Sequence, residues 1–179
     1  MKLAILDRDG VINFDSDQYI KSPAEWRPIP GSIEAIARLN QHGYRIAVAT
    51  NQSGIGRGLF DMATLNAIND KMMELVFRQG GRIDALFFCP HTATEGCGCR
   101  KPRTGMYEEI AARFHTELKG VPAIGDSLKD LQAAESVGAQ PILVLTGKGA
   151  MTRHDGGMPK KTLVFEDLAE AARHLMSQA

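Results

Sequence analysis

Apolar residues along the chain fall into two alternating kinds of run. Five are short and nearly continuous, at residues 2–6, 44–50, 83–88, 121–124 and 141–145. Short runs of aliphatic and β-branched side chains are what strands buried on both faces require. Between these runs, apolar positions recur at helical spacing. Ile33, Ile36, Ala37 and Leu39 share one face of a predicted helix at 32–41, with Gly31 ahead of it and Gly43 as its stop. Met62, Leu65, Ile68, Met72, Leu75 and Val76 repeat across 61–79, where Asp61 is an N-cap candidate. Segments 105–118 and 128–137 follow the same logic, the second closed by Gly138, and 165–176 predicts a last helix.

Strands alternating with helices predict an α/β fold: a doubly wound, mostly parallel, Rossmann-like sheet covered on both faces, in one domain spanning 1–179. Such a topology carries the C-terminal ends of the strands to one edge, where ligands bind. The residues expected there are Asp7-Arg8-Asp9-Gly10, Thr50-Asn51-Gln52-Ser53, Cys89-Pro90-His91 and Gly125-Asp126-Ser127, with Lys101 just downstream of the third strand.

Composition narrows the class without changing this picture. Hydrophobic residues make up 44% and charged residues 23%, an ordinary globular mix that excludes a disordered chain, a collagen and a disulfide scaffold. Lys plus Arg equals Asp plus Glu at 21 each, so nucleic-acid binding through bulk charge is not expected. No apolar run approaches the roughly 20 residues that span a bilayer. A charge appears at Asp7, too soon for a signal peptide, and the expected compartment is the cytoplasm. The three cysteines all lie between 89 and 99, and an odd, clustered set in a reducing compartment points to metal rather than disulfides.

Asp7 ends an apolar strand and Asp9 follows two residues on, while Asp126 and Asp130 follow a different strand. Carboxylates brought that close repel unless a cation neutralises them, and hard oxygen ligands suit Mg²⁺, which also engages phosphate. Thr50 offers a hydroxyl donor and Lys101 a positive charge. Singly, Asp7 reads as a strand-end cap, Thr50 as a strand residue and Lys101 as a solvated lysine. The ordered set D-x-D-G, T-N, K-P and G-D-x-x-x-D supplies what phosphoryl transfer needs: a nucleophile, a metal site and donors for developing charge.

That ordered set resembles the four motifs of the haloacid dehalogenase superfamily of phosphatases: Asp7 to Val11, Thr50, Lys101, and Gly125 to Asp130. The resemblance implies that Asp7 attacks phosphorus and forms an aspartyl-phosphate. Asp9 then protonates the leaving alkoxide and later deprotonates water. It also implies Mg²⁺ on Asp7, Asp126 and the Asp9 carbonyl, phosphoryl contacts from Thr50 and Lys101, and an orienting role for Asp130 toward Lys101 or the metal. A receiver-type signalling domain shares the acidic Mg²⁺ site but stores its aspartyl-phosphate; Asp9 is the residue that separates the two.

Cys89, His91, Cys97 and Cys99 form a second constellation, C-P-H followed by C-G-C. Three thiolates and one imidazole match a closed structural zinc site. Its segment has almost no apolar content and leads straight into Arg100 and Lys101. The expected result is a small zinc-bound loop, 89–99, that pins the Lys101 segment.

No stretch between the motifs is long enough for a large cap domain, so the expected site is capless and open. The zinc loop together with Thr50-Asn51-Gln52-Ser53-Gly54 and Arg57 resembles the D-glycero-D-manno-heptose 1,7-bisphosphate 7-phosphatases of lipopolysaccharide-precursor synthesis. The alternative is the related histidinol-phosphate phosphatases, which typically read N-Q-D-G where this chain has Ser53. The heptose resemblance implies a phosphorylated sugar as substrate. It implies contacts from Asp7, Arg8 and Asp9, from Asp15, Ser16, Asp17 and Gln18 ahead of Tyr19, from Thr50, Asn51, Gln52 and Ser53, and from Arg100 with Lys101. The 15–19 wording departs from the usual H-G-Y. Arg100 has a planar fork suited to a second phosphate, although a loop position also suits a solvated arginine. Arg57 is either a further contact or a loop cap. No nucleic-acid, membrane or second-chain partner is expected, and the expected state is a monomer.

Overall fold

The computed structural model describes residues 1–178. Twelve elements follow one another: β1 (Lys2–Leu6), α1 (Ser32–Gln41), β2 (Tyr44–Asn51), α2 (Met62–Arg78), β3 (Ala85–Cys89), α3 (Gly105–Phe114), β4 (Pro122–Gly125), α4 (Leu128–Ser136), β5 (Gln140–Val144), α5 (Gly149–Asp155), β6 (Leu163–Phe165) and α6 (Leu168–Ser177). A single 3-10 turn, Pro23–Glu25, lies in the long β1–α1 connection.

The strands form one sheet in the order β3-β2-β1-β4-β5-β6, and every pairing is parallel. The chain runs outward from β1 to β3, then returns to the other side of β1 for β4. The switch point therefore falls between β1 and β4, where the Asp7 amide donates to Ile124 O at 2.9 Å. Loops leaving those two strands diverge and open a crevice.

Strand alternation splits the core into two layers. Ala4, Leu6, Ile46, Val48, Ile142 and Val144 face α1, α2 and α6, with the fully buried Trp26. Leu3, Ile5, Ala47, Ala49 and Ala123 face α3 and α4. Lys71 of α2 donates to Pro23 O and Trp26 O, each at 2.7 Å, so the β1–α1 connection is tied to the helix layer. No described helix is long and apolar enough to cross a membrane.

Asp61 caps α2 as its position predicts, its carboxylate accepting from the Thr64 amide at 2.8 Å. Three boundaries move by two residues or more from the sequence reading. The third strand starts at Ala85 because Asp84 turns its carboxylate onto the Ile46 amide at 2.8 Å. α3 stops at Phe114 because His115 adopts a left-handed conformation. The predicted last helix begins three residues late: residues 163–165 pair with β5 as β6, and Asp167 caps α6 by accepting from the Glu170 amide. α5 was not expected; residues 149–155 contain few apolar side chains, so they carry no amphipathic signal.

Candidate active site

The edge at the strand C-termini holds a cavity of about 400 Å³. It is lined by Asp7, Asp9, Thr50, Asn51, Gln52, Ser53, Arg100, Lys101, Asp126 and Asp130, together with Asp15, Ser16, Asp17, Tyr19, Arg57, Lys129 and Lys148. Residues from the ends of five strands thus converge where the topology places a ligand.

Lys101 sits at the centre, 2% exposed. Its ammonium lies 2.7 Å from Asp130 Oδ1 and 3.1 Å from Asp7 Oδ1, and it donates to Ala49 O at 2.6 Å. Burial alone would lower its pKa, but Asp130 and Asp7 outweigh burial and hold it well above the ordinary lysine range. Lys101 is reached from outside its loop by Asn51. That side chain accepts from the Lys101 amide at 3.0 Å and donates to the Lys101 carbonyl at 3.1 Å. Asn51, expected as a substrate contact, lines the cavity and also ties its amide to the loop that carries Lys101.

Asp7 Oδ1 accepts from Lys101 and from the Arg8 amide at 2.8 Å, while no described donor reaches Oδ2. Burial, reinforced by Asp130 and opposed by Lys101, pushes the Asp7 carboxyl up to about 7. Asp126 is pushed up to about 8 by burial and by Asp130 and Asp7. Ligand atoms of Asp7, Asp126 and Asp130 all lie within 4.8 Å of one another. Two raised carboxylates so placed form the donor set that a hard divalent cation fits, since its charge would remove the repulsion. Asp130 is otherwise engaged: Oδ2 accepts from the Asp126 amide and from the amide and hydroxyl of Ser127, in a capping box at the start of α4. Its Oδ1 is the atom that faces the Lys101 ammonium, at 2.7 Å.

Asp9 has the opposite environment. Burial raises its carboxyl, but Arg8 beside it, together with hydrogen bonds from Arg8, Asn13 and Gln52, outweighs burial and lowers it. Gln52 donates to Asp9 Oδ2 at 3.0 Å and to Thr50 Oγ1 at 2.9 Å, which leaves the Thr50 hydroxyl proton free to face the cavity. Arg8 is fully buried and does not line the cavity, so its expected substrate contact is corrected: the guanidinium turns behind Asp9. Gln18 is exposed and also lies off the lining.

Residues the sequence reading passed over come from the loop after β5. The Lys148 amide donates to Asp126 Oδ2 at 2.8 Å, and its ammonium lies 3.8 Å from Asp15. Thr146 donates to Gly10 O at 2.6 Å. Gly10, at φ +85°, and Gly147 pack so closely on Asp126 that a Cβ at either would overlap its carboxylate. Their signal in the sequence is weak: one threonine and one lysine among glycines.

Beside the cavity, Cys89, His91, Cys97 and Cys99 bring three sulfurs and Nδ1 within 4.8 Å of one another. Neighbouring pairs are 2.9 to 3.6 Å apart, close to the roughly 3.7 Å between sulfurs around a tetrahedral zinc. All three thiols are free. This loop braces the cavity wall: the Gln52 amide donates to Cys89 O at 2.7 Å, Gly56 to Pro90 O at 2.9 Å, and Arg100 Nη1 to His91 O at 3.3 Å. Arg57, next to Gly56, lies 5.8 Å over the Tyr19 ring and lines the cavity, so it is a cavity residue as well as a loop residue.

Residues 98–171 match the HAD-hydrolase-like family model. A D-glycero-beta-D-manno-heptose-1,7-bisphosphate 7-phosphatase from Bordetella bronchiseptica is 57% identical over 179 residues, covering all of both chains. One of the same name from Pseudomonas putida is 55% identical over 176 residues, covering 98% of this chain and all of the other. The B. bronchiseptica D,D-heptose 1,7-bisphosphate phosphatase, solved with magnesium and phosphate, superposes with a TM-score of 0.99 over the full length of both chains. The corresponding enzyme from Burkholderia thailandensis, 50% identical, gives 0.79 over 99% of each.

The raised carboxylates make cation binding pH-dependent. In the folded metal-free protein, Asp7 and Asp126 keep their protons up to about 7 and about 8, whereas unfolded they lose them near 3.8. Stability is therefore lost as pH rises through that window, and a cation that binds the ionised pair restores more of it at the upper end. Adding a fixed Mg²⁺ concentration should raise the melting temperature more at about pH 8 than at about pH 6. Differential scanning fluorimetry of chelator-treated protein checks this; an equal or reversed shift contradicts it.

Proposed function

The chain belongs to the family of D-glycero-beta-D-manno-heptose-1,7-bisphosphate 7-phosphatases, and from that premise we propose that it removes the 7-phosphate of a heptose 1,7-bisphosphate, with Mg²⁺, in the synthesis of heptose precursors for lipopolysaccharide. The observation that carries the reading is that Asp7, whose Oδ2 accepts from no described donor, lines one cavity with Asp9, Thr50 and Lys101. Asp7 Oδ2 forms a bond to the 7-phosphorus as the bond to the sugar oxygen breaks. Asp9 gives its proton to that oxygen; a phosphate dianion arriving beside it favours the protonated form needed for the transfer. Water then loses a proton to Asp9 and displaces Asp7 from phosphorus, releasing inorganic phosphate. Thr50 and Lys101 donate to the transferring oxygens. Mg²⁺, held by Asp7, Asp126 and the Asp9 carbonyl, would neutralise the carboxylates and the charge that develops on phosphorus.

The second phosphate distinguishes this substrate from a monophosphate. Arg100, Lys129 and Lys148 line the cavity beyond the catalytic groups, and none is consumed by a short ion pair. Their positive charges suit the dianion on the far end of the sugar. No cap domain covers the cavity among the described residues, so these rim residues and the 15–19 loop supply the selectivity. The relatives described above all carry the heptose name, and the histidinol-phosphate reading is not favoured. The Cys/His loop is assigned a structural zinc, because all four ligand positions come from protein and none is left open for substrate.

Asp7→Asn keeps the shape and removes the nucleophilic charge. Phosphate release should fall by several orders of magnitude, and near-parental turnover would rule out the aspartyl-phosphate route. Protein purified without chelator should contain about one zinc per chain. Cys97→Ser should lower both zinc content and melting temperature, because metal binding contributes to folding. Arg100→Ala should lower kcat/KM for heptose 1,7-bisphosphate at least about tenfold, or about 1.4 kcal/mol, with a much smaller effect on a small monophosphate. Equal losses would assign Arg100 to the transferring phosphoryl group instead.

A further inference from the structure

The buried arginine behind the site is not explained by phosphate binding. Arg8 is wholly inaccessible, yet it sits one residue from Asp7 and its guanidinium never meets the cavity. Its Nε donates to Asp9 Oδ1 at 2.9 Å and its Nη2 to Asp9 Oδ2 at 3.3 Å. The third donor, Nη1, reaches Asn69 Oδ1 at 3.1 Å. Asn69 is 5% exposed and lies among Ile68, Met72 and Val76 on the inward face of α2, a polar residue in an otherwise apolar stripe.

We infer that Arg8 and Asn69 form a buried clamp that positions the Asp9 carboxyl for proton transfer to the leaving sugar oxygen. This rests on the reading of Asp9 as the acid/base. β1 ends at Leu6, so Asp9 lies in a turn, followed directly by Gly10 in a left-handed conformation. Strand pairing therefore does not orient its side chain. Asn13 and Gln52 each grip one oxygen, and both belong to loops themselves. Only the planar Arg8 fork touches both oxygens and so sets the plane of the carboxyl group. The fork in turn needs a fixed reference, because a guanidinium pivots about its long stem. Asn69 supplies it from a packed helix 61 positions away in sequence. Asn69 is thus a positioning residue: it touches neither substrate nor reacting atoms, and acts through Arg8.

Leaving-group chemistry separates this role from general support of the fold. kcat/KM reports events up to departure of the leaving group. A sugar alkoxide needs a proton to leave, whereas p-nitrophenolate leaves without one. Asn69→Leu should lower kcat/KM for heptose 1,7-bisphosphate at least about tenfold, while kcat/KM for p-nitrophenyl phosphate stays within about twofold. Asn69→Asp retains the acceptor oxygen and should keep the parental ratio between the two substrates. Equal losses of Asn69→Leu on both substrates, or no loss on the sugar, would overturn the clamp. Asp9→Asn is the reference: it should show the same one-sided loss, more severely. If Asp9→Asn is one-sided and Asn69→Leu is not, the clamp alone fails; if Asp9→Asn lowers both equally, the acid/base reading fails and the clamp with it. Should Asn69→Leu not fold, Arg8→Lys carries the test, since one ammonium cannot span Asp9 and Asn69 together. Its sugar-to-aryl ratio of kcat/KM should fall at least about fivefold, and an unchanged ratio would overturn the proposal.

Discussion

The charge balance around Lys101 is the constraint on which the site depends. An ammonium 2% exposed, between Asp7 and Asp130, is tenable only while both carboxylates stay within ion-pair distance. Those partners come from two strands that diverge at the switch point of the sheet. Lys101 itself arrives on the loop after a third. The pairing therefore ties together the loops after β1, β3 and β4, and the capping box of α4 holds Asp130 in turn. Removing any one partner would leave a buried charge uncompensated, which costs far more than the pair itself contributes.

Two carboxylates two residues apart are driven in opposite directions. Asp7 feels burial and two acidic neighbours, and its carboxyl rises to about 7; Asp9 has Arg8 and two amide donors, and its carboxyl is lowered. Such divergence lets two carboxyls on one loop serve different chemical ends, as the proposed reaction needs. Gln52 links the two functions, since one amide donates both to Asp9 and to Thr50. A shift of Thr50 would be felt at Asp9.

The loops around the cavity have little apolar content to fix them, and polar devices replace it. The Cys/His loop braces the Gln52 segment and Arg100 through backbone contacts. Asn51 grips the Lys101 backbone at both its amide and its carbonyl. Lys148 and Thr146 hold Asp126 and Gly10 from the loop after β5, and the glycines allow that approach. The cavity wall is thus built from hydrogen bonds and a compact Cys/His cluster, while the apolar layers beneath carry the fold.

The alternation of strand and helix patterns already determined the doubly wound sheet, because burial on both faces leaves continuous apolar runs that periodicity can detect. Asp7, Asp9, Thr50, Lys101 and Asp126 were legible for the same reason: the topology sends strand ends to one edge, and the motifs stand at those ends. The gathering of Cys89, His91, Cys97 and Cys99 was legible from spacing alone. What lay beyond the sequence was the direction in which each polar side chain turns. Arg8 reads as a cavity residue and is buried behind Asp9; Asn51 lines the cavity as read, and its amide also pairs with the Lys101 backbone. Asn69 looks like an interruption of an apolar stripe and proves to be the acceptor for Arg8. Lys148 lies in a short, glycine-rich turn without periodicity, and only closure of the sheet brings it to Asp126. Local pattern reports which face of an element is buried, but the partner of a buried polar group is a long-range fact, and only the tertiary structure decides it.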